Sequence, residues 1–393
     1  MLEEDIKMEC DKKRIFDLIM LSLWGAGVAS VDQDVYIEMK QHAVATLPAS
    51  CFSSIGLSVE LEREWKALIL KQISYNLQSS YEQSKLPISV PYVILKGTSA
   101  AKYYPYPQYR TMGDIDIMTR REDLGIACKQ LVENGYRVVK ELNREISFIK
   151  NGIVVELHKR FATLNDPEQA KYLDDLIIDN ITPLHVLPDN VNGLVLLEHI
   201  DQHMEGGIGL RQIIDWMMFV DKCLPDEKWP EFLVFSEKIG LEKLAIVCTR
   251  MCELYLGLPQ RKWCAGADTT LCEQLMDYIM ACGNFGNKKT SDEAISENAI
   301  AYASTLKMFF SLLQKQGLKN WKAATYYKFL KPFAWIYQAF RYASKGIRRE
   351  QAIGKLKDEY TAARRRNKLF EALGVKTMAK GNVIYRDGKY IKE

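Results

Sequence analysis

The feature that most constrains this chain is a change in hydrophobic periodicity over residues 86–160. On both sides of that segment apolar residues recur every three or four positions, which is typical of amphipathic helices. Within it, short β-branched runs alternate with polar residues and turn signals, which is typical of strands. The sequence therefore predicts an α+β fold, in which a small mixed-sheet core is flanked by helical N-terminal and C-terminal regions. The predicted segments are 1–85, 86–160, 161–375 and a tail, 376–393.

The core is expected to contain five strands and two helices. The strands are predicted at 92–95, 114–119, 136–142, 145–150 and 153–158, and the helices at 98–104 and 121–134. Thr98 is the expected N-cap of the first helix, and Asn151-Gly152 is typical of a tight hairpin turn. Later helices are predicted at 190–205, 208–222, 228–239, 241–256, 269–281 and 293–315, with a loop at 283–289 and a hairpin at 382–392 around Asp387-Gly388.

Composition excludes several classes of protein. Of 393 residues, 48% are hydrophobic and 26% charged, which is the balance of a globular protein rather than a disordered one. The formal charge of +3 gives no indication of nucleic acid. Residues 341–370 hold ten Lys or Arg against three Asp or Glu. That segment could contact RNA or an acidic membrane surface, although a solvated helix face is the simpler interpretation.

Cysteine usage and hydropathy indicate the compartment. The nine cysteines are scattered, and no Cys-x-x-Cys pair occurs. The chain has no run of eighteen apolar residues and no recognisable secretory signal. We expect a cytoplasmic protein with free thiols and no transmembrane segment.

Three carboxylates are the candidate chemistry-bearing groups of the core. Asp114 and Asp116 are two apart on a predicted strand, so their side chains share a face while Ile115 and Ile117 point into the core. Glu156 interrupts an apolar strand. Like charges held together repel unless a cation lies between them, and Mg²⁺ prefers carboxylate and phosphate oxygens. Each carboxylate alone could instead face water.

A second candidate group is the turn Lys96-Gly97-Thr98 between a predicted strand and a helix. Glycine allows the backbone to approach a phosphate, and a helix N-terminus offers amide donors to it. Lys96 follows a buried strand, so its charge needs an anionic partner. That partner is either a phosphate or one of Asp114 and Asp116.

The order of these features resembles the DNA polymerase β-like nucleotidyltransferase superfamily. It resembles more closely an uncharacterised bacterial nucleotidyltransferase family that carries a Leu-Lys-Gly turn. The marks are Leu95-Lys96-Gly97, Tyr104-Pro105, Arg110, Asp114-Ile115-Asp116, Gly135-Tyr136, Glu156-Leu157-His158, His199, His203, Leu210-Arg211 and Asp215. The resemblance covers roughly residues 35–220. Thr98 departs from the Ser or Gly of the superfamily pattern.

The resemblance implies transfer of a nucleoside monophosphate from a nucleoside triphosphate to a hydroxyl or phosphate acceptor, with release of pyrophosphate. It implies that two Mg²⁺ ions, or Mn²⁺ in their place, bind to the three carboxylates, which are also the catalytic residues. The implied nucleotide-binding residues are Lys96, Gly97, Thr98, Arg110 and Arg211, and the implied pocket residues are His158, His199 and His203.

Several of these residues have alternative interpretations. Arg110 could hold its loop through backbone carbonyls, and His158 could serve only in packing. Arg211 is four residues before Asp215, so an intrahelical ion pair is its default. His199 and His203 have a spacing that can bind zinc, but no third ligand completes such a site.

The acceptor is not determined by the sequence. We expect a small molecule. An RNA acceptor held by residues 341–370, a protein acceptor, and nucleotide binding without turnover remain alternatives. The aromatic-rich stretch 321–340 could stack on bases, although a helical core or a partner-helix surface is the simpler interpretation.

Overall fold

The computed structural model describes residues 2–27, 29–288, 314, 317–318, 320–321, 323–324, 327–344, 361–362, 364–375, 383–386 and 389–392. The chain divides into two compact units. The first comprises residues 1–288, 373–376 and 382–393, and the second comprises 289–372 and 377–381. The predicted helix 293–315, apart from residue 314, lies outside the described residues, as do the turn Asp387-Gly388 and residues 345–360 of the basic segment.

The first unit begins with three helices, as the periodicity predicts. They are α1 (Leu2–Trp24), α2 (Gln33–Gln41) and α3 (Val59–Ser84), with 3-10 turns at Leu47–Ser50 and Phe52–Ser54. The side chains of Asp32 and Ser58 accept backbone N–H groups at the starts of α2 and α3, which satisfies amides that a helix leaves free.

A five-stranded mixed sheet follows, and it confirms the predicted α+β class. Its strands are β1 (Tyr92–Leu95), β2 (Ile115–Thr119), β3 (Arg137–Glu141), β4 (Glu145–Lys150) and β5 (Ile153–His158), in the order β1-β2-β5-β4-β3. Only β2 and β5 pair in parallel. The turn Asn151-Gly152 has positive φ at both residues and joins β4 to β5 as a hairpin.

Alternation along β2 and β5 gives the sheet two different faces. Ile115 and Ile117 belong to a buried apolar cluster with Val155 and Leu157. Helix α5 (Leu124–Glu133) contributes to this cluster, because Ala127 and Leu131 are fully buried there. The residues between the apolar ones project from the opposite face, which therefore carries the polar groups of both strands.

Helices cover the rest of the first unit. They are α4 (Gly97–Ala101), α6 (Pro167–Asp179), α7 (Asp189–Met204), α8 (Leu210–Cys223), α9 (Trp229–Lys238), α10 (Glu242–Tyr255) and α11 (Thr269–Cys282). The sequence analysis did not single out α6, although Asp166 caps it and Pro167 occupies its first position. The strands β6 (Val383–Arg386) and β7 (Lys389–Lys392) form the predicted hairpin.

The described part of the second unit contains the aromatic-rich stretch. A 3-10 segment at Lys328–Phe333 leads into α12 (Ala334–Ser344). The rings of Trp321 and Tyr337 stack at 4.9 Å, whereas Phe329 and Phe340 are exposed. The described part of the stretch is mainly helical, and its described aromatic residues divide between packing and the surface.

One buried side chain of α3 fixes the segment that leads into β2. The amide nitrogen of Asn76 donates to the carbonyl oxygens of Gln108 and Arg110 at 2.9 and 2.8 Å. Its amide oxygen accepts the backbone N–H of Met112 at 3.3 Å. Since Asp114 follows two residues later, Asn76 positions the entry to the polar face of the sheet.

We predict that Asn76→Ala destabilises the protein. The substitution leaves two carbonyls and one amide without their partner, and each unsatisfied buried group costs about 1–3 kcal/mol. Chemical denaturation should show an unfolding free energy lower by at least about 2 kcal/mol. Leu77→Ala, on the exposed side of the same helix, is the control. Equal stability of the two variants would contradict the anchoring role.

Candidate active site

Two carboxylates and an imidazole meet on the polar face of the sheet. Asp116 on β2 is the direct register partner of Glu156 on β5, and His158 lies two residues farther along β5. One potential ligand atom of each residue lies within 4.8 Å of the others. The parallel pairing of β2 with β5 brings together residues that are forty positions apart in the chain.

Asp116 is buried and has two charged or polar partners. One of its oxygens lies 2.7 Å from the Lys96 ammonium and 2.9 Å from the His158 Nε2. Burial by itself would raise the pKa of Asp116, but Lys96 and His158 together hold it well below its usual range. Lys96 therefore pairs with a carboxylate, that of Asp116, which is one of the two kinds of partner that the sequence leaves open for it.

Glu156 has the opposite electrostatic environment. Burial and the nearby carboxylates of Asp116, Asp114 and Glu145 raise the pKa of Glu156 to about 7. Its closest polar contact is the Ser147 hydroxyl on β4, at 3.5 Å. A carboxyl group in this setting gains from any added positive charge, because a cation stabilises its ionised form.

Asp114 does not lie where the sequence analysis expected it. It immediately precedes β2, rather than forming its first residue, and its side chain is exposed. It is therefore not in the tight cluster, although its charge contributes to the raised pKa of Glu156. The strand begins at Ile115, which is the first residue of β2 to pair with β5, opposite Val155.

His158 is fully buried, and burial lowers its pKa, so its ring is neutral at ordinary pH. The Nε2 nitrogen then donates to Asp116, and Nδ1 is left without a hydrogen bond in the described part of the chain. The nearest charged group to Nδ1 is the Glu145 carboxylate, at 3.8 Å. His158 thus orients the Asp116 carboxylate through this hydrogen bond.

The donor set fits a hard divalent cation. Asp116 and Glu156 supply carboxylate oxygens, the ligands that Mg²⁺ and Mn²⁺ favour. Burial, followed by the excess negative charge of the neighbouring carboxylates, raises the pKa of Glu156. A divalent cation would remove that excess.

Arg110 is not available for a phosphate. Its guanidinium is buried and forms a two-pronged ion pair with Asp215, with Nε at 2.7 Å from Oδ1 and Nη2 at 2.6 Å from Oδ2. The Tyr104 hydroxyl donates to the same carboxylate at 2.7 Å. The sequence predicted a phosphate or the loop carbonyls as the partner of Arg110, and the main partner is instead the Asp215 carboxylate. One loop carbonyl, that of Thr111, lies 3.4 Å from Nη1.

Thr98 also differs from expectation. Helix α4 begins at Gly97, and Lys96 occupies the capping position. The Thr98 hydroxyl donates to the Gln83 side chain at 2.9 Å and so does not cap the helix. Gly97 has a φ of +46° and faces the Asp114 carbonyl, so the turn passes directly beside the carboxylates.

Arg211 has no hydrogen bond or ion pair within the described part of the chain. Asp215, the partner that the sequence predicted for Arg211, forms its ion pair with Arg110 instead. The Arg211 guanidinium lies 5.5 Å from the ring of Phe285, and burial together with the charge of Arg110 lowers its pKa. A partly buried guanidinium without an anionic partner is suited to bind one.

His199 and His203 are adjacent on α7, with ring centroids 4.7 Å apart. Burial and nearby cations, chiefly Lys96, lower the pKa of both, that of His203 to about 3. Both rings are therefore neutral. Among the described residues they belong to no metal-ligand cluster.

The sequence analysis missed three neighbours of these residues. Glu145 lies beside His158, Arg144 pairs with Glu145 at 2.8 Å, and the Phe285 ring lies 4.8 Å from that of His203. Phe285 fell inside a predicted loop. Its position between two glycines, Gly283 and Gly286, is the only sequence signal that could have marked it.

Comparison with known proteins gives one match. A family model described as an uncharacterised nucleotidyltransferase matches residues 32–257. Neither the curated proteins nor the solved structures contain a match. Within the described residues, no helix has the length and apolar character needed to cross a membrane, and the eight cysteines whose side chains are described are all free thiols.

We predict that Arg110→Ala lowers the unfolding free energy by about 3–5 kcal/mol, because it leaves the buried Asp215 carboxylate without its counter-charge. Urea denaturation monitored by circular dichroism measures the change. Lys66→Ala removes a solvent-exposed ion pair and should cost less than about 1 kcal/mol. An equal decrease in unfolding free energy for the two variants would contradict the larger contribution that we assign to the buried ion pair.

Proposed function

Because the chain belongs to the uncharacterised nucleotidyltransferase family, we propose that it transfers a nucleoside monophosphate from a nucleoside triphosphate to a hydroxyl or phosphate acceptor and releases pyrophosphate. The observation that carries this proposal is the register pairing of Asp116 with Glu156, with Asp114 immediately before the same strand. Two clustered carboxylates on paired strands, with a third just before one of those strands, suit the polymerase β-type arrangement.

We assign Asp114, Asp116 and Glu156 to two Mg²⁺ ions, with Mn²⁺ as a substitute. When bound, such ions orient the triphosphate, lower the pKa of the attacking hydroxyl and stabilise the charge that develops during in-line displacement. Glu156 alternatively accepts the proton of the acceptor hydroxyl, since a pKa of about 7 suits a general base at neutral pH.

The cationic groups around the carboxylates have separate roles in this proposal. Lys96 already lies 2.7 Å from Asp116, so its ammonium is within reach of a phosphate held at that carboxylate. Arg211 has no anionic partner in the described part of the chain, and we assign it to the triphosphate. Gly97 and Thr98 contribute backbone atoms, because the Thr98 hydroxyl is engaged with Gln83.

Arg110 has a positioning role. Its ion pair joins the segment before β2 to α8, which also carries Arg211. The pair therefore sets the distance between the carboxylates and the helix that supplies the unpaired guanidinium. His158 positions Asp116 in the same sense, through the hydrogen bond from Nε2.

A small molecule remains the proposed acceptor. The case for RNA rested on residues 341–370, of which 345–360 lie outside the described residues. No contact of the described residues favours RNA or a protein side chain. The expected location is the cytoplasm, on the sequence evidence given above.

The test is ligand-induced stabilisation. We expect Mg²⁺ with at least one of the four nucleoside triphosphates to raise the melting temperature, because a ligand that binds only the folded state stabilises it by mass action. The rise should disappear in EDTA and in Asp114→Asn. Asp114 is exposed, so this substitution should leave the unliganded melting temperature unchanged.

Glu122→Gln removes another exposed carboxylate close to the sheet and is the matched control. It should retain the full magnesium-dependent rise. If none of the four triphosphates stabilises the wild-type protein, or if Asp114→Asn responds like the wild type, the assignment of the carboxylates is wrong.

A further inference from the structure

Phe285 is an exposed aromatic residue on an unusual backbone. It leaves 54% of its surface accessible. Its φ and ψ of 56° and 30° lie in the left-handed region, where a residue with a bulky side chain is rarely found and is strained. Neither the exposure nor the strain stabilises the fold, and residues in such conformations are concentrated at ligand-binding sites.

The loop that carries Phe285 is held tightly. A Cβ on Gly207 would lie 2.4 Å from the Gly286 backbone nitrogen, so the two segments touch backbone to backbone. The Asn284 side chain accepts from Gln212 at 3.0 Å, and the Asn287 side chain donates to the Gln41 carbonyl at 2.9 Å. The strained conformation of Phe285 is therefore imposed by its anchored neighbours.

The ring of Phe285 lies at the end of a row of groups that leads to the carboxylates. His203 is 4.8 Å from it and His199 is 4.7 Å beyond His203. The Arg211 guanidinium lies 5.5 Å from the same ring. Gln202, the neighbour of His203 on α7, accepts a hydrogen bond from Arg144 at 3.2 Å, and Arg144 pairs with Glu145 beside His158. This end of α7 therefore lies next to the strands that carry Asp116 and Glu156.

This layout matches the chemistry of one ligand class. The carboxylates and Lys96 form a charged end, and Phe285 offers a flat apolar face. Between them, the Arg211 guanidinium has no anionic partner in the described part of the chain. A nucleoside triphosphate has the same succession, from metal-bound phosphates to a planar base. Stacking on an aromatic ring contributes to the binding of any of the bases, because each base has a π-face.

We propose that Phe285 forms the stacking surface for the base of the donor nucleotide, with the His203 ring against its edge at an interplanar angle of 66°, and that Arg211 contacts the phosphates next to it. The inference rests on the proposed function and assigns a residue that lies outside the matched range 32–257. The segment after that range thus completes the nucleotide site.

The experiment compares a ligand that has a base with one that lacks it. Isothermal titration in Mg²⁺ measures the dissociation constants of the best-bound nucleoside triphosphate and of inorganic tripolyphosphate. Phe285→Leu should weaken the nucleotide about tenfold, by the usual size of base stacking, and leave tripolyphosphate unchanged. Phe285→Tyr keeps an aromatic face and should restore the wild-type affinity.

Two further variants complete the design. Arg211→Gln should weaken both ligands, since it removes a contact to phosphate. Tyr81→Leu removes an aromatic ring of similar exposure, 56%, from α3 and should change neither. Equal effects of Phe285→Leu on both ligands, or no effect on either, overturn the stacking role. If the wild-type protein binds neither ligand, the proposed function fails and this inference fails with it.

Discussion

The repulsion between Asp116 and Glu156 is the constraint on which the site depends. The parallel pairing of β2 with β5 makes them register partners, so two carboxylates share one place on the sheet. The protein compensates one of them, since Lys96 and His158 keep Asp116 ionised. Lys96 compensates Glu156 only in part, and burial together with the neighbouring carboxylates raises the pKa of Glu156 to about 7.

The surrounding structure keeps the two carboxylates close together despite their repulsion. Asn76 fixes the segment before β2 from α3, and the buried pair of Arg110 with Asp215 ties the same segment to α8. A buried ion pair of this kind contributes little net stability compared with an apolar contact of similar size, but its geometry is specific. Its value here is to place α8, and with it Arg211, relative to the carboxylates.

Local patterns predicted the strands and most helices because their signals are local. Alternation marked β2 and β5, Asn151-Gly152 marked the hairpin, and Ile115 and Ile117 are buried where expected. The helix α6 was not singled out. The partners of Arg110 and Thr98 were predicted wrongly, because Asp215 and Gln83 lie in other segments of the chain. In addition, the sequence had suggested Asp215 as the intrahelical partner of Arg211.

The sequence by itself determined which strand residues carry charge between apolar neighbours, because alternation along a strand is a local pattern. The resemblance pointed to the class of chemistry, and the alternation of β2 and β5 pointed to Asp116 and Glu156, which the structure brings together. Asp114 lies outside that cluster. Only the tertiary structure decided how the cations are distributed among the carboxylates. Lys96 pairs with Asp116, Arg110 pairs with Asp215, and Arg211 is left without an anion in the described part of the chain. Ion pairing depends on distances of a few ångströms between segments far apart in sequence, and periodicity contains no information about those distances.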